Sequence, residues 1–470
     1  MRSREAAAQL LARNPQILDE LTRAVAIMAI EMLMHEPSVL EINLSAIDHN
    51  MAAIGGLVGH DCRLCPIVKA DAYGLGASRV ARRLATSGAA MVAVYSLPQA
   101  AELGALGGSL VTGSDGLPIP VLVLMPVVEI RRGDEASRML ASGRLHLTIH
   151  DAQQLTAIEA LADEFALRIP VHVEVDTGLS RGGARPEDAA KLIERITNGN
   201  RCVLKGVFTH FANSRVDRAA TDAQLERFDA MLVSCAATLP PDCVIHVAST
   251  YALFRSPRYH RSMVRFGLAW AGYGLEELEA GEMELGTDVL RPCLRWRSRV
   301  VQVKRVPVGT SVGYGSRWTA KRPSLIGLVP VGYADGFPVY RPPVGADADA
   351  QSQRIAVLRE TPRGIEREYV PVVGTVNMDQ ITIDLTDVEL LGQPNDGVGM
   401  TVELVSPDAS APNHLPRLAS RSGMIPHEML CRIHPRIPRM YVVDGVIEGA
   451  LDAGAQRPSA TVGTIAAAAG

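Results

Sequence analysis

The sequence predicts an α/β protein in which a (β/α)8 TIM barrel is followed by a mainly β C-terminal domain. Three observations carry this. Between residues 60 and 275, eight short apolar runs alternate with helix-like stretches. After about residue 280 the apolar runs continue, but turns, Pro and Gly separate them and little helix intervenes. No Gly-x-Gly-x-x-Gly follows the first run, which weakens an open dinucleotide-binding sheet.

The eight runs are 62–70, 91–96, 119–125, 145–150, 169–176, 203–211, 244–249 and 263–272. They are rich in Val, Ile and Leu, as parallel strands buried on both faces should be. Helices are expected over 78–87, 97–104, 151–166, 186–198 and 219–238, several opened by a capping candidate such as Asp151. Eight βα units in about 200 residues fit a closed barrel. Beyond it, strands are expected over 294–306, 325–331, 369–376, 381–385, 401–404 and 439–443, with a short helix over 415–421. An early strand, 39–44, precedes the barrel and either joins it or pairs with the second domain. Residues 341–368 read as an exposed hairpin or loop insertion.

Four segments follow: a helical extension over 1–37, a barrel over 38–280, a β-rich domain over 281–447, and a disordered Gly/Ala-rich tail over 448–470. The extension alternates charged and apolar residues, and Glu20, Arg23, Glu31 and His35 interrupt it. It therefore lacks the apolar core of a signal peptide. It reads as a partner-docking helix or as a loosely packed tail.

A net charge of −4 gives no basic excess for nucleic acid, and no stretch reaches the ~18 apolar residues of a spanning helix. Neither a nucleic-acid nor a membrane partner is expected. The seven cysteines are scattered, and the single Cys62-x-x-Cys65 has no second pair to complete a zinc site. They read as buried thiols in a reducing compartment, with the cytoplasm as the expected location.

In a barrel the C-terminal ends of the strands carry the active site. The first run ends in Pro66-Ile-Val-Lys69-Ala-Asp-Ala-Tyr73-Gly74-Leu-Gly76. Taken alone, Lys69 fits a solvated lysine at a strand end as well as a cofactor lysine. The longer segment, VKADAYGLG, closely resembles the cofactor-lysine signature of the alanine racemase family. The resemblance continues in order through VHVEVDTGLSRGG (171–183), FTHFANS (208–214), VRFGLAWAGYG (264–274), SVGYGSRWTA (311–320), VGYADGFP (331–338) and VGTVNMDQ (373–380). It spans roughly residues 38 to 445.

That resemblance implies a homodimeric isomerase dependent on pyridoxal 5′-phosphate. It implies interconversion of L- and D-alanine, supplying D-alanine for peptidoglycan in a bacterial host. Racemisation needs an electron sink and acid/base groups on both faces of Cα. The cofactor is the sink. Lys69 is implied as its Schiff-base lysine and the base on one face, and Tyr314, reaching across the dimer, as the base on the other. An ordinary tyrosine, with pKa ~10, is a poor base at neutral pH, so cationic or hydrogen-bonding neighbours must lower it, and Arg181 and His210 are the candidates. The family's counterpart of Arg181 contacts the cofactor phenolic oxygen and the substrate carboxylate. That of His210 bonds the arginine facing the pyridine nitrogen, here Arg265. An arginine cannot accept a proton. The ring nitrogen then stays unprotonated, which should suppress transamination. Phosphate donors are implied at the Tyr73 hydroxyl, the Gly267 and Leu268 backbone, and Thr250, which replaces the family serine. Met378 is implied beside the substrate carboxylate, and Tyr333 at the inner entrance.

Two positions depart from the family. Glu174 stands where many members carry a carbamylated lysine, and its carboxylate is expected to replace the carbamate in orienting the Arg181 side chain. His427 stands where the family has a phosphate-contacting tyrosine. It can still donate to phosphate but leaves more room. A serine or broad-specificity racemase on the same scaffold therefore stays open. A non-catalytic carrier of the same cofactor and a barrel decarboxylase are further readings; Tyr314 and Arg265 weigh against them.

Overall fold

The computed structural model describes residues 36–105, 113, 116–275, 289–340, 352–361, 364–389 and 397–451. The helix expected over 1–35, the start of the 341–368 insertion and the end of the chain beyond 451 lie outside the described residues. The chain divides into two compact units, Ala46–Arg291 and Met1–Ser45 with Pro292–Gly470.

Strand β1 (Ser38–Asn43) belongs to the second of these. The first unit holds β2 (Arg63–Pro66), β3 (Val92–Val94), β4 (Val121–Val123), β5 (Leu145–Ile149), β6 (Ile169–Glu174), β7 (Cys202–Phe208), β8 (Val244–His246) and β9 (Met263–Phe266). Seven fall within the eight apolar runs, and β7 begins one residue ahead of its run, at Cys202. β3 to β8 form one parallel sheet in chain order, and β2 pairs with β9 in parallel. A bridge between Ile67 and Ala93 joins the β2 side to β3. The Ser262 and Arg265 N–H groups donate to Ile245 O (3.1 Å) and Ala248 O (3.2 Å), joining β8 to β9. The barrel is thereby closed.

β3 and β4 are buried along their whole length, which explains why they read as unbroken apolar runs. The helices between strands start where the sequence supplies caps. Asp134, Asp151 and Asp217 accept from the backbone N–H three residues on, at 2.8, 2.7 and 2.9 Å. Pro186 opens its helix at the first turn, and Ala189, Leu192, Ile193 and Ile196 form the buried stripe of Pro186–Asn198. The helices Leu44–Val58, Glu135–Ala141, Thr250–Arg255 and Pro426–Arg432 go beyond those expected from the pattern.

The second unit is built on a ten-stranded sheet. Its strands are β1, β10 (Leu294–Arg299), β11 (Gln302–Val306), β14 (Ser324–Val329), β15 (Arg354–Thr361), β16 (Gly364–Val373), β17 (Ile381–Asp384), β18 (Thr401–Val405), β19 (Arg439–Val443) and β20 (Val446–Leu451). A small ribbon of β12 (Ser311–Val312) and β13 (Trp318–Thr319) stands apart. β1 lies between β10, antiparallel, and β19, parallel. The strand expected over 294–306 is two strands with different neighbours. The Val300 N–H donates to Met400 O and the Val301 N–H to Leu328 O, so the chain crosses between parts of the sheet there. The insertion's second half is β15 paired with β16. β20 pairs with β19 and carries the sheet to Leu451, past the expected limit at 447. β10 alternates buried and half-buried residues, as a strand with one face on a core does.

Candidate active site

Lys69 follows β2 and enters an unusual turn. Ala70, Asp71, Ala72 and Tyr73 all have φ between 52° and 58°. Left-handed backbone costs a non-glycine residue about 1–2 kcal/mol, so four in a row need support. Asp71 provides some: its Oδ1 accepts from the Ala77 N–H (2.6 Å) and its carbonyl from the Gly76 N–H (3.0 Å). Tyr73 provides more, buried and stacked on Trp270 at 5.9 Å. The Trp270 indole N–H in turn donates to Ile67 O (2.9 Å), two residues before Lys69. Strain held this firmly clusters at functional sites.

The same turn builds a polar cradle. A Cβ at Gly267 would overlap the Tyr73 hydroxyl, so only glycine lets that hydroxyl lie against the backbone after β9. The Gly267 N–H donates to Thr250 Oγ1 (3.2 Å), and Thr250 opens the helix Thr250–Arg255. Leu268 is buried beside them. Hydroxyls, amides and a position closed to any side chain fit a phosphate group.

Arg265 lies on β9 in register with Cys65 of β2 and is 4% exposed. Its Nη2 donates to Thr209 O (2.7 Å) and approaches His210 Nδ1 at 3.5 Å. Its Nη1 donates to His246 O and Nδ1, both at 2.8 Å. The Phe208 ring lies 4.8 Å from the guanidinium. The short imidazole contact to Arg265 is therefore that of His246, a residue the family motifs did not single out. The sequence signal is a histidine inside the apolar run 244–249, between Ile245 and Val247. Burial lowers the Arg265 pKa to about 10, a value that still leaves it charged at neutral pH.

His210 collects the cationic field. Burial, then Arg265, Arg181 and Lys69, push its pKa down to about 3. Of the three, Arg265 lies against this imidazole, its Nη2 3.5 Å from Nδ1. Arg181 is exposed on the loop after β6, where Asp176 Oδ1 accepts from the Gly178 and Ser180 N–H groups, each at 3.0 Å. Glu174 is the carboxylate within reach of this field. Burial raises its pKa while His150, Arg265 and Arg181 oppose the rise. Its Oε2 lies 3.2 Å from His150 Nδ1. A cationic mouth with hydroxyl and amide donors suits an anionic, phosphate-bearing cofactor, with Lys69 as its amine. Among the described residues, no group of three or more His, Cys, Asp or Glu is arranged to hold a metal ion.

The second unit carries Tyr314, Tyr333, Met378 and His427. Tyr314 sits in the 3-10 turn Tyr314–Ser316 with its side chain 76% exposed. The Thr375 hydroxyl donates to Tyr314 O (2.8 Å), the Tyr333 N–H to Asn377 O (3.0 Å) and the Ala334 N–H to Met378 O (2.9 Å). One segment, 375–378, thus organises three exposed apolar side chains. Arg436 braces it by bonding Asp335 (2.6 Å) and Asp379 (2.7 Å). His427 lies half-buried in the helix Pro426–Arg432.

The fold and these residues define a barrel protein with a cationic, lysine-bearing mouth and a separate β domain presenting exposed tyrosines. The family model "Alanine racemase, N-terminal domain" matches residues 42–275, and "Alanine racemase, C-terminal domain" matches 293–441. An alanine racemase of Desulfovibrio desulfuricans is 34% identical over 408 residues, 86% of this chain and 98% of that protein. Alanine racemase 1 of Caldanaerobacter subterraneus is 30% identical, covering 87% and 96%. Among solved structures, alanine racemase of Clostridium difficile superposes with a TM-score of 0.72 at 26% identity, covering 89% of this chain and 99% of that one. That of Streptomyces coelicolor gives 0.71 at 26%, covering 86% and 98%. The chain belongs to the alanine racemase family.

Proposed function

We propose that this protein interconverts L- and D-alanine as a homodimer dependent on pyridoxal 5′-phosphate, with Lys69 and Tyr314 as the two proton carriers. The observation that carries this reading is the strained turn after Lys69 that delivers the Tyr73 hydroxyl against Gly267, two residues beyond the buried Arg265. Lys69 holds the cofactor. The Tyr73 and Thr250 hydroxyls and the Gly267–Leu268 backbone hold its phosphate, with His427 a further donor. Bound there, pyridoxal 5′-phosphate withdraws electrons from the bonds at Cα of an amino acid.

The protein's own groups do the rest. Arg181 holds the substrate carboxylate by charge-assisted hydrogen bonds. The Lys69 amine takes or returns the Cα proton on one face. The Tyr314 phenolic oxygen does so on the other, supplied by a second copy of the chain, and its exposed side chain suits that role. Arg265, which can only donate, would face the ring nitrogen as a donor and supply no proton acceptor there. Met378 and Tyr333 narrow the approach. The D-alanine formed serves peptidoglycan where the host builds that wall.

The test is chiral chromatography of L-alanine incubated with the purified, cofactor-loaded protein, with L-serine in parallel. Conversion towards equal D- and L-alanine is expected. Bound cofactor without any D-amino acid would instead favour a non-catalytic carrier.

A further inference from the structure

Three histidines in the barrel interior contact one another end to end. His146 on β5 places Nδ1 3.0 Å from His172 Nε2 on β6. His172 places Nδ1 3.0 Å from His246 Nε2 on β8. His246 places Nδ1 2.8 Å from Arg265 Nη1 on β9. His172 and His246 are fully buried and His146 nearly so. β7 lies between β6 and β8, and the line passes it only because β7 contributes Gly206 opposite His172. A Cβ at Gly206 would overlap His172 Nδ1. One extra residue on β7, Lys205, shifts the register between Val171 and His172 and so brings Gly206 opposite His172.

The directions of these bonds follow from chemistry. A guanidinium donates and never accepts, so His246 Nδ1 must accept. A neutral His246 then carries its proton on Nε2 and donates to His172 Nδ1. His172 in turn carries its proton on Nε2 and donates to His146 Nδ1. His146 ends with its proton on Nε2. It lines a cavity of about 290 Å³ with Arg63, Lys205 and Asp242, near the strand starts and opposite the mouth. Every acceptor nitrogen in the line is occupied, so no ring can take a second proton without breaking a bond.

We propose that His246, His172 and His146 form a polarised hydrogen-bond line, oriented by Arg265, that positions this arginine and connects it to the basal cavity. The relevance to catalysis rests on reading Arg265 as the group facing the cofactor ring; the line itself does not. His246, His172 and His146 are positioning residues, since they act through Arg265 and touch neither cofactor nor substrate. Their buried, cation-flanked setting favours neutral rings: the pKa of each is lowered, that of His146 to about 4, with Lys205 and Arg265 as the neighbouring cations. The line gives a guanidinium in the barrel core a fixed set of partners without placing a carboxylate beside the ring.

Side-chain nitrogen NMR of the full chain with 15N-labelled histidine tests this directly, with and without pyridoxal 5′-phosphate. His146, His172 and His246 are each expected as the neutral tautomer protonated at Nε2, assigned by loss of one signal set in His146→Gln, His172→Asn and His246→Asn. In Arg265→Leu the constraint is lifted, and a mixture of tautomers should replace the single form. An Nδ1-protonated or doubly protonated ring at any of the three in the native protein at pH 7 would overturn the proposal. So would an unchanged pattern in Arg265→Leu. A second comparison separates positioning from packing. In His172→Asn the amide oxygen stands near the lost Nδ1 and can accept from His246. In His172→Leu it cannot. The His246 proton stays on Nε2 in both variants, because Arg265 still donates to Nδ1, but its N–H should keep a hydrogen-bonded shift in the first and show the shift of an unpaired N–H in the second. Equal behaviour of the two would contradict the line. Absence of racemisation would sink the functional reading, and the histidine spectra would still decide whether the line exists.

Discussion

The Tyr73 hydroxyl occupies the space that a side chain at residue 267 would need. Gly267→Ala must therefore displace a tyrosine that is stacked on Trp270 and anchored in a left-handed turn. The expected result is weaker binding of pyridoxal 5′-phosphate by on the order of tenfold, about 1.4 kcal/mol, with the barrel still folded. Cofactor titration followed by absorbance checks it. Unchanged affinity would remove Tyr73 and Gly267 from the phosphate site.

Acid stability follows from His146, whose pKa is lowered from 6.5 to about 4 by burial and Lys205. The unfolded chain then binds its proton first. The contribution is fully present above pH 6.5 and is lost as pH falls towards 4. At the extreme it amounts to about 3 kcal/mol. Urea unfolding across the range from neutral pH down to the lowered pKa should show stability falling, and His146→Gln should flatten part of that fall. Identical slopes in both proteins would contradict the assignment.

Glu174 bears on substrate binding. Its carboxylate sits beside His150 and within the field of Arg181. Glu174→Gln should raise KM for alanine by loosening the Arg181 side chain, lowering kcat/KM about tenfold, or about 1.4 kcal/mol. Because a carboxylate is already present, added bicarbonate should leave the native rate unchanged. An unaltered KM in the variant, or activation by bicarbonate, would show that Glu174 does not do the carbamate's work.

Much of the fold is legible in the sequence alone. The barrel strands announce themselves because strands such as β3 and β4 are buried throughout and read as unbroken Val, Ala and Leu. The short helix Glu135–Ala141 does not, since seven residues give too few turns for a periodic stripe. The break at Val300 is invisible because both halves of 294–306 are equally strand-like, and only their different partners separate them. Lys69, Tyr73 and Arg265 stand out through their motifs. The left-handed turn between the first two does not, as Ala70, Asp71 and Ala72 carry no signal for positive φ. His146, His172 and His246 each stand beside apolar neighbours and look like isolated polar residues, as Thr148 and Glu174 on the same strands do. Their connection depends on Gly206 and on barrel closure, which no local pattern encodes.

The central claim is that Lys69 and Tyr314 are both required and come from different copies of the chain. Lys69→Ala and Tyr314→Phe should each lose racemisation by about a hundredfold or more, on the order expected for an acid/base group. Unfolding and refolding the two variants together forms mixed dimers, in which one site regains both groups. Differently tagged and purified as mixed dimers, they should recover about half the native rate per dimer, since one of two symmetric sites is whole. Recovery of that size is the predicted result. Verified mixed dimers no more active than either parent would contradict the account.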